Sequence, residues 1–463
     1  MKKIAIVGCG FSGTMTAVHL INNAVEPFEL ILIGDQDTFN KGVAYTPNSR
    51  NQILNVVASR MSAYPDDPGH FLNWVSTLEE YSATDKGLLA NSYLPRYLYG
   101  KYLEDIWHKA VQAPGATRVK ITRKDSLVTD MDYSGQDISL QLKNGEQLVV
   151  QYGVIASGNH QPANPAIEDS QVFNSNKYFR NPWTTNVFSH TDKHSPVMIL
   201  GNGLTMADTV LGLIENGFTS RIYTISSHGF SMLPHKHLGI AYNAVAGELQ
   251  GNPALSDLVR ILTRHIRIAR RLGFTAEPVV DGLRPLTQQL WQNLSAAEKQ
   301  KFMSRLRYLW DTARHRIPMH IHEKLVQLTE TGALELNAGK LISITETGNA
   351  VKVRFVNHGS GETREITVSS VINCTGPATD LMKTDDNYLK RALQKGIIVQ
   401  DALLLGILAD PATFCVCSNS FEPHDNLFTI GSLLKGVLWE TTAVKELREQ
   451  AAGLAAQLVR RIH

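Results

Sequence analysis

Cysteine is scarce. Four occur in 463 residues, at Cys9, Cys374, Cys415 and Cys417. They form neither a disulfide framework nor a CxxC pair, which excludes the dithiol relay of disulfide reductases and points to a reducing, cytoplasmic setting. Cys415 and Cys417 alternate along a predicted strand and read as buried structural residues. Long apolar runs are missing too: none nears the roughly 20 residues that a membrane-spanning helix needs. The apolar run in "MKKIAIVGCGFSG" breaks into glycines after about five residues, short of the roughly 7 to 15 of a signal-peptide core, so it reads as a first strand. An excess of one charge is likewise absent. A net charge of +2 gives no general attraction to nucleic acid or anionic membranes. His235 with His237, and His320 with His322, have i,i+2 spacing, which on a strand shares one face, but no acid or cysteine cluster completes a metal site.

What is present is ordinary globular composition, 43% hydrophobic and 19% charged, in a chain longer than the roughly 250 to 300 residues at which single cores stop growing. Two domains are therefore expected. "KKIAIVGCGFSGTMTAVHLINN" reads as strand, glycine turn and helix, with Gly8, Gly10 and Gly13 in GxGxxG spacing. Gly8 permits the tight turn, Gly10 lets the backbone approach a pyrophosphate, and Gly13 lets helix pack on strand. Phe11 and Ser12 begin the helix, whose unsatisfied N–H groups suit an anion. A second strand, "FELILIGD", ends at Gly34 or Asp35, where a carboxylate can accept ribose hydroxyls.

"SPVMILGNGLTMADTVLGLIENGF" repeats this arrangement: strand Val197 to Leu200, turn Gly201 and Gly203, and a helix from about Leu204 and Thr205. Met206 takes the third glycine position, so packing is looser there. Two such units in one chain suggest two dinucleotides, a tightly held flavin and a diffusing nicotinamide. A second unit that binds nothing is the structural alternative.

Between the units, "VIASGNHQPANP" (154–165) is a strand, a turn at Ser157 and Gly158, and two stiffening prolines. It resembles the ATG-type motif at which two-dinucleotide flavoproteins cross from flavin domain to nicotinamide domain. "VINCTGPATD" (371–380), with Gly376, looks like the return crossing, and the pair resembles two hinge strands. "DNLFTIGSLLKGVLWETTAVKELREQAAGLA" resembles the second FAD motif: a strand ending near Gly431, then Trp439, Glu440 and Thr441, with a helix from around Glu440 aimed at the flavin. Ser432 stands where many such flavoproteins have aspartate.

A resemblance spanning most of the chain is carried by "GCGFSGTMTAVHL", "GVAYTPNSRNQILNVVASRMSAYPDDPGHFLNWV", "YLPRYLYGKYL", "GNGLTMAD", "LPHKH", "RHRIP" and "GVLWETTAVKELREQA". Together they are similar to FAD-NAD(P)-binding proteins grouped beside the siderophore N-hydroxylating monooxygenases. This implies an α/β fold of two Rossmann-like domains: an FAD domain at 1–165 and again at 331–463, and an NAD(P) domain at 166–330 with a helical insertion at about 240–325. It implies FAD reduced by NADPH or NADH, then hydroxylation of a small substrate, with amine nitrogen as one such target, through a flavin C4a-hydroperoxide. A flavin reductase without oxygenation and a non-catalytic FAD/NAD(P)-binding protein stay open as alternatives.

Candidate catalytic residues Asn55, Met61 and Asp66 lie in "NVVASRMSAYPDDPGHFLNWV", where such folds pass near the flavin, and Asn55 and Ser62 are candidate cofactor contacts. Asp66-Asp67-Pro68 equally reads as a helix cap. Arg96 reads either as a phosphate or substrate contact or as a solvated helix start. In the second unit, Ser226-Ser227-His228-Gly229 stands where relatives often carry Ser-Arg-His-Gly, which weakens an NADP preference unless His228, Arg221 or Lys236 substitutes. The insertion's "LSDLVRILTRHIRIARRLGF" places Leu258, Ile261, Leu262, His265, Ile268 and Ala269 on one helical face. Its arginines lie on the other, either over an acidic substrate or paired with nearby acids. Ser295 and Glu298 form a capping-box signature.

Overall fold

In the computed structural model, which describes residues 1–46, 52–184, 186–236, 240, 242–249 and 251–462, the first apolar run forms β1 (Lys2–Val7). Its side chains alternate between two cores. Ile4 and Ile6 pack with residues of the helices Phe11–Asn22, Arg96–Gln112 and Val444–Ile462, while Ala5 and Val7 pack on the other side. A strand covered on both faces belongs in a parallel sheet, and β1 pairs in parallel with β2 (Phe28–Gly34), which pairs with β3 (Val119–Asp125). Next come β4 (Val128–Tyr133), β5 (Ile138–Leu142) and β6 (Gln147–Val150), an antiparallel sheet whose Met131, Ile138 and Leu140 meet Ala5 and Val7. β7 (Tyr152–Ile155) then returns to the free edge of β1.

The chain continues through β8 (Tyr178–Phe179), β9 (Val197–Leu200), β10 (Ile222–Ser226), β11 (Leu334–Thr347), β12 (Ala350–Asn357), β13 (Thr363–Val368) and β14 (Ser370–Asn373). These form a second sheet in the order β13-β12-β11-β10-β9-β14-β8, parallel from β8 to β11. β15 (Cys415–Cys417) and β16 (Pro423–Thr429) complete the first, ordered β15-β16-β7-β1-β2-β3. Two compact units result: Met1–His160 with Thr379–His463, and Gln161–Ala378. Residues 331–378, assigned from the sequence to the returning FAD segment, pack in the second unit, because β11 and β14 flank β10 and β9 there.

The second unit repeats the layering of the first. Val197 and Ile199 face the helix Leu204–Glu215, whereas Met198 and Leu200 face Val351, Val353 and Phe355. Its insertion is helical and includes Leu255–Arg271, Ala296–Arg305 and Arg307–Arg314. Ser295 and Glu298 form the expected capping box. On Leu255–Arg271 the buried residues include Leu258, His265 and Ala269, but Ile268 is 39% exposed because it sits at the rim of the stripe. Two of the arginines pair with acids, Arg260 with Asp257 at 2.8 Å and Arg264 with Glu248. Exposed pairs of this kind contribute little stability. Among the described residues no helix is long and apolar enough to cross a membrane.

Candidate functional site

Each unit contains the same glycine turn, built by the same contacts. After β1, Gly8 takes φ +101° and its N–H donates to Ile33 O at 2.9 Å. A Cβ on Gly8 would lie 2.2 Å from Ala156 O, in the string that follows β7. After β9, Gly201 takes φ +105°, its N–H donates to Ile225 O at 2.7 Å, and a Cβ there would lie 2.5 Å from Cys374 O, after β14. Gly10 and Gly203 are the N-caps of the following helices, and neither has a side-chain cap. The helix N–H groups are thus left for an anion. A Cβ on Gly13 would stand 2.0 Å from Gly8 O, so only glycine lets that helix close on the turn. Met206, its counterpart, is buried.

In unit 1 the turn is surrounded by distant segments. Gly42, at φ +62°, faces Gly10 with only 3.1 Å between its would-be Cβ and Gly10 Cα. Gly431, at φ +81°, meets Ser12 Oγ in the same way. A closed hydrogen-bond triangle holds Gly431: its N–H donates to Gln450 Oε1 at 2.9 Å, Gln450 Nε2 donates to Thr441 Oγ1 at 2.7 Å, and Thr441 Oγ1 donates to Gly431 O at 2.8 Å. Between them Trp439 adopts φ +60° and ψ −69°, and Glu440 N–H bonds to Leu438 O at 2.7 Å. That is γ-turn geometry of the strained hand, of a kind that concentrates at functional sites. The helix expected from around Glu440 begins at Val444, past this turn and the non-helical residues 441–443.

The other candidate residues of unit 1 are placed as follows. Asp35 lies one residue past β2, is exposed, and accepts Asp37 N–H at 2.8 Å. Met61 and Ser62 are buried, Asn55 is half-buried and Asp66 is exposed. The geometry therefore separates Asp66 from the buried members of its own motif. Ser62 Oγ donates to Asp67 O at 2.5 Å, and Ser62 O accepts from Arg448 Nη1 at 2.9 Å, tying this loop to the helix Val444–Ile462. The cap of helix His70–Ser76 is Gly69, whose N–H donates to Asp67 Oδ1 at 3.2 Å, so Asp67 serves the turn just before the helix. Arg96 Nε donates to Ile53 O at 3.1 Å and joins the "YLPRYLYGKYL" and "NQILNVV" strings.

Ser157 shares a hydrogen bond with the Tyr388 hydroxyl, whose ionisation burial pushes far above the ordinary range. Beside it, His160 Nδ1 and Asp386 Oδ2 lie 3.7 Å apart. Burial drives both toward neutrality, the imidazole down to about 4 and the carboxyl up to about 6. Gly158 and Gly376 both take positive φ. In unit 2 the two crossing strings are bonded to each other: Asn373 Nδ2 donates to Ala163 O at 3.0 Å, and Ala378 N–H to Gln161 O at 3.2 Å.

At the end of β10, Ser226 Oγ accepts Gly229 N–H at 3.0 Å, and Ser227 and His228 are exposed. Arg221 precedes β10 and so lies at the strand end away from the glycine turn. Asn202, inside that turn, is buried, and both its amide atoms are without a hydrogen-bond partner. His235 bonds Glu277 Oε1 at 2.9 Å, while His320 and His322 lie on the helix Met319–Glu330, where i,i+2 spacing separates their directions. His237 and residues 47–51 fall outside the described residues. The sequence reading missed Gly42, Tyr388, Arg448 and Gln450. Only Gly42 carried a local signal, as a glycine opening a turn.

Residues 5–160 match the family model described as FAD-NAD(P)-binding, so unit 1 carries an FAD-NAD(P)-binding domain. No curated protein matches the sequence. Among solved structures the chain is similar to L-lysine 6-monooxygenase from Pseudomonas syringae, at 16% identity over 99% of each chain with a TM-score of 0.68. It is similar to the reduced form of ornithine hydroxylase from Pseudomonas aeruginosa, at 15% identity over 100% of this chain and 99% of that one, TM-score 0.67. It is also similar to ornithine N-hydroxylase from Kutzneria sp. 744, at 13% identity over 99% of each chain, TM-score 0.66. At these identities the likeness establishes the fold alone, an α/β architecture of two Rossmann-like units.

Proposed function

We propose that the chain is an FAD-dependent oxidoreductase that takes electrons from NAD(P)H and hydroxylates the nitrogen of a small amine. The observation that carries this reading is the duplicated glycine turn, one per unit, within a fold shared end to end with lysine and ornithine N-hydroxylases. The overall reaction balances as amine, dioxygen, NAD(P)H and a proton giving hydroxylamine, water and NAD(P)+.

The residues of unit 1 fit FAD. Ser432 Oγ, Asn40 Oδ1 and Gln52 Oε1 are buried without hydrogen-bond partners, which is costly unless a bound polar group satisfies them. Gly10 and Gly42 leave room for backbone to approach a pyrophosphate, and Asp35, one residue past β2, is the candidate ribose contact. Unit 2 fits a nicotinamide dinucleotide by the same logic, with open space beside Gly203 and the unpartnered amide of Asn202 in the turn. When bound, FAD would supply two-electron chemistry and reaction with dioxygen. The protein's own part is positional: the Gly431–Thr441–Gln450 triangle fixes the turn beside Ser12, and Arg448 holds the Ser62 loop. Among these segments Asn55, Met61 and Ser62 are the candidate contacts for flavin or substrate. Thiol chemistry is disfavoured, because all four cysteines are buried and burial pushes Cys9 and Cys374 up to about 12.

The test is aerobic turnover with ornithine, lysine and cadaverine in turn, following NAD(P)H, oxygen, peroxide and hydroxylamine together. Hydroxylamine formed in step with NAD(P)H consumption for one of these amines is the expected result. Oxidation of NAD(P)H without hydroxylamine from any of them would favour the reductase without oxygenation.

A further inference from the structure

We propose that unit 1 contains a hole-transfer chain of Tyr45, Tyr99, Tyr102 and Trp74 that leads one-electron oxidising equivalents from the dinucleotide turn to the surface, with His70 as the proton acceptor of Tyr102. This rests on the reading that unit 1 binds FAD and handles dioxygen.

The chain starts beside the turn. Gly42, which faces Gly10, caps the short helix Val43–Tyr45. Tyr99 lies on the helix Arg96–Gln112 and stacks at 6.3 Å on Phe11, the first residue of the helix after Gly10. Successive ring centroids are 4.5 Å apart for Tyr45 and Tyr99, 5.3 Å for Tyr99 and Tyr102, and 5.4 Å for Tyr102 and Trp74. These are contact separations for aromatic rings. Electron exchange decays exponentially with distance, so each step is a short one. The two middle rings are fully buried, at 0% exposure, whereas Tyr45 and Trp74 at the two ends are half-buried.

Core packing needs only the rings, but the polar atoms mark this path. The buried Tyr99 hydroxyl has no hydrogen-bond partner among the described residues. An unpartnered buried phenol is costly, so a core chosen for packing alone would carry phenylalanine there. Oxidation of a phenol expels its proton, and a hole therefore rests only where a base waits. Tyr102 is so equipped. Its Oη accepts Ala63 N–H at 3.2 Å and lies 2.8 Å from His70 Nδ1, to which it donates its own hydrogen. Burial raises the phenol and lowers the imidazole, so the pair rests neutral with Nδ1 open as acceptor. At the exit, Trp74 Nε1 donates to Asp105 Oδ2 at 3.0 Å, and that carboxylate stabilises positive charge on the indole. Lys109 shares the same oxygen at 2.7 Å, but its side chain is exposed and screened by solvent.

The steps balance. Tyr102 passes one electron through Tyr99 and Tyr45 toward the turn and its proton to His70. Trp74 then returns one electron to Tyr102, which recovers the proton. A soluble thiol gives Trp74 an electron and releases its proton to solvent. With a hydroxyl radical from leaked peroxide as the oxidant, the sum is thiol and hydroxyl radical giving thiyl radical and water.

The experiment is flash excitation of the FAD-loaded protein, with the excited flavin as the one-electron oxidant, read by transient absorption and by electron paramagnetic resonance of freeze-quenched samples. The wild type is expected to show a neutral tyrosyl radical that disappears faster when dithiothreitol is added. Tyr102→Phe, which keeps the ring, is expected to lose that signal, and Trp74→Phe to keep it but lose its response to thiol. Flavin content and melting temperature check that each variant folds, and either variant decides alone. No tyrosyl radical in the FAD-loaded wild type, a signal that survives in Tyr102→Phe, or an unchanged thiol response in Trp74→Phe would overturn the chain alone. A wild type that takes up no FAD would overturn both this inference and the reading beneath it.

Discussion

Two glycines of one turn, Gly201 and Gly203, should separate stability from coenzyme binding. Gly201 has φ +105° and no room: a Cβ would stand 2.5 Å from Cys374 O. Gly201→Ala must pay about 1–2 kcal/mol for a left-handed Cβ and about 1–3 kcal/mol for the backbone shift that relieves the clash. Together these predict a fall in melting temperature of roughly 4–20 °C for a unit of this size. Gly203 has φ −89° and nothing within 4 Å of a would-be Cβ. Gly203→Ala should cost at most about 1 kcal/mol, as an altered helix cap. Its methyl nevertheless occupies the place where backbone would approach the pyrophosphate. Losing one hydrogen bond to a charged group, about 1.5–3 kcal/mol, raises the Kd for nicotinamide coenzyme roughly 10- to 100-fold. The assay pairs thermal unfolding with coenzyme titration of both purified variants. A Gly201→Ala protein that melts like wild type, or a Gly203→Ala protein that binds coenzyme like wild type, would refute the assignment of this turn.

Three further substitutions follow from the geometry. Asp386 and His160 pull against each other: the raised carboxyl contributes stability below about pH 3.8 that is lost as pH rises through about 6, whereas the lowered imidazole contributes stability above about 6.5 that is lost as pH falls through about 4. Asp386→Asn should stabilise the protein at pH 7 by up to about 3 kcal/mol, lose that gain by pH 4 and uncover the His160 decline, all read from melting curves across pH. Thr441→Val leaves buried Gln450 Nε2 without its acceptor and frees Gly431 O; a loss of about 1–3 kcal/mol and a lower flavin content after purification are expected. Ser227→Asp puts a carboxylate where unit 1 has Asp35. Like charges about 4 Å apart repel by about 1–4 kcal/mol between bulk water and a protein surface, so the ratio of KM values should shift toward NADH about fivefold or more.

The parts of this structure that were legible in the sequence are those written within one stretch of chain. Gly8, Gly10, Gly13 and the strand–helix pattern around them specify the first turn locally, and Gly201 and Gly203 the second. The Ser295–Glu298 capping box is equally local. What the sequence hides is set by partners brought from far away. Ser157 gains its meaning from Tyr388, Gly431 from Gln450, and Tyr102 from His70, and no spacing rule connects those residues. Residues 331–378 show the same limit at domain scale. Their alternation reads as strands, but only pairing with β9 and β10 assigns them to unit 2. The late start of the last helix has a further cause, since the strained turn at Trp439 overrides a stretch whose composition suits a helix.

The visible spectrum of the purified protein, followed by anaerobic titration with NADPH and then NADH, tests the central claim most directly. A flavin absorbance that bleaches with about one equivalent of either coenzyme, and returns when oxygen is admitted, is the predicted result. A colourless protein that neither takes up added FAD nor oxidises either coenzyme would contradict it.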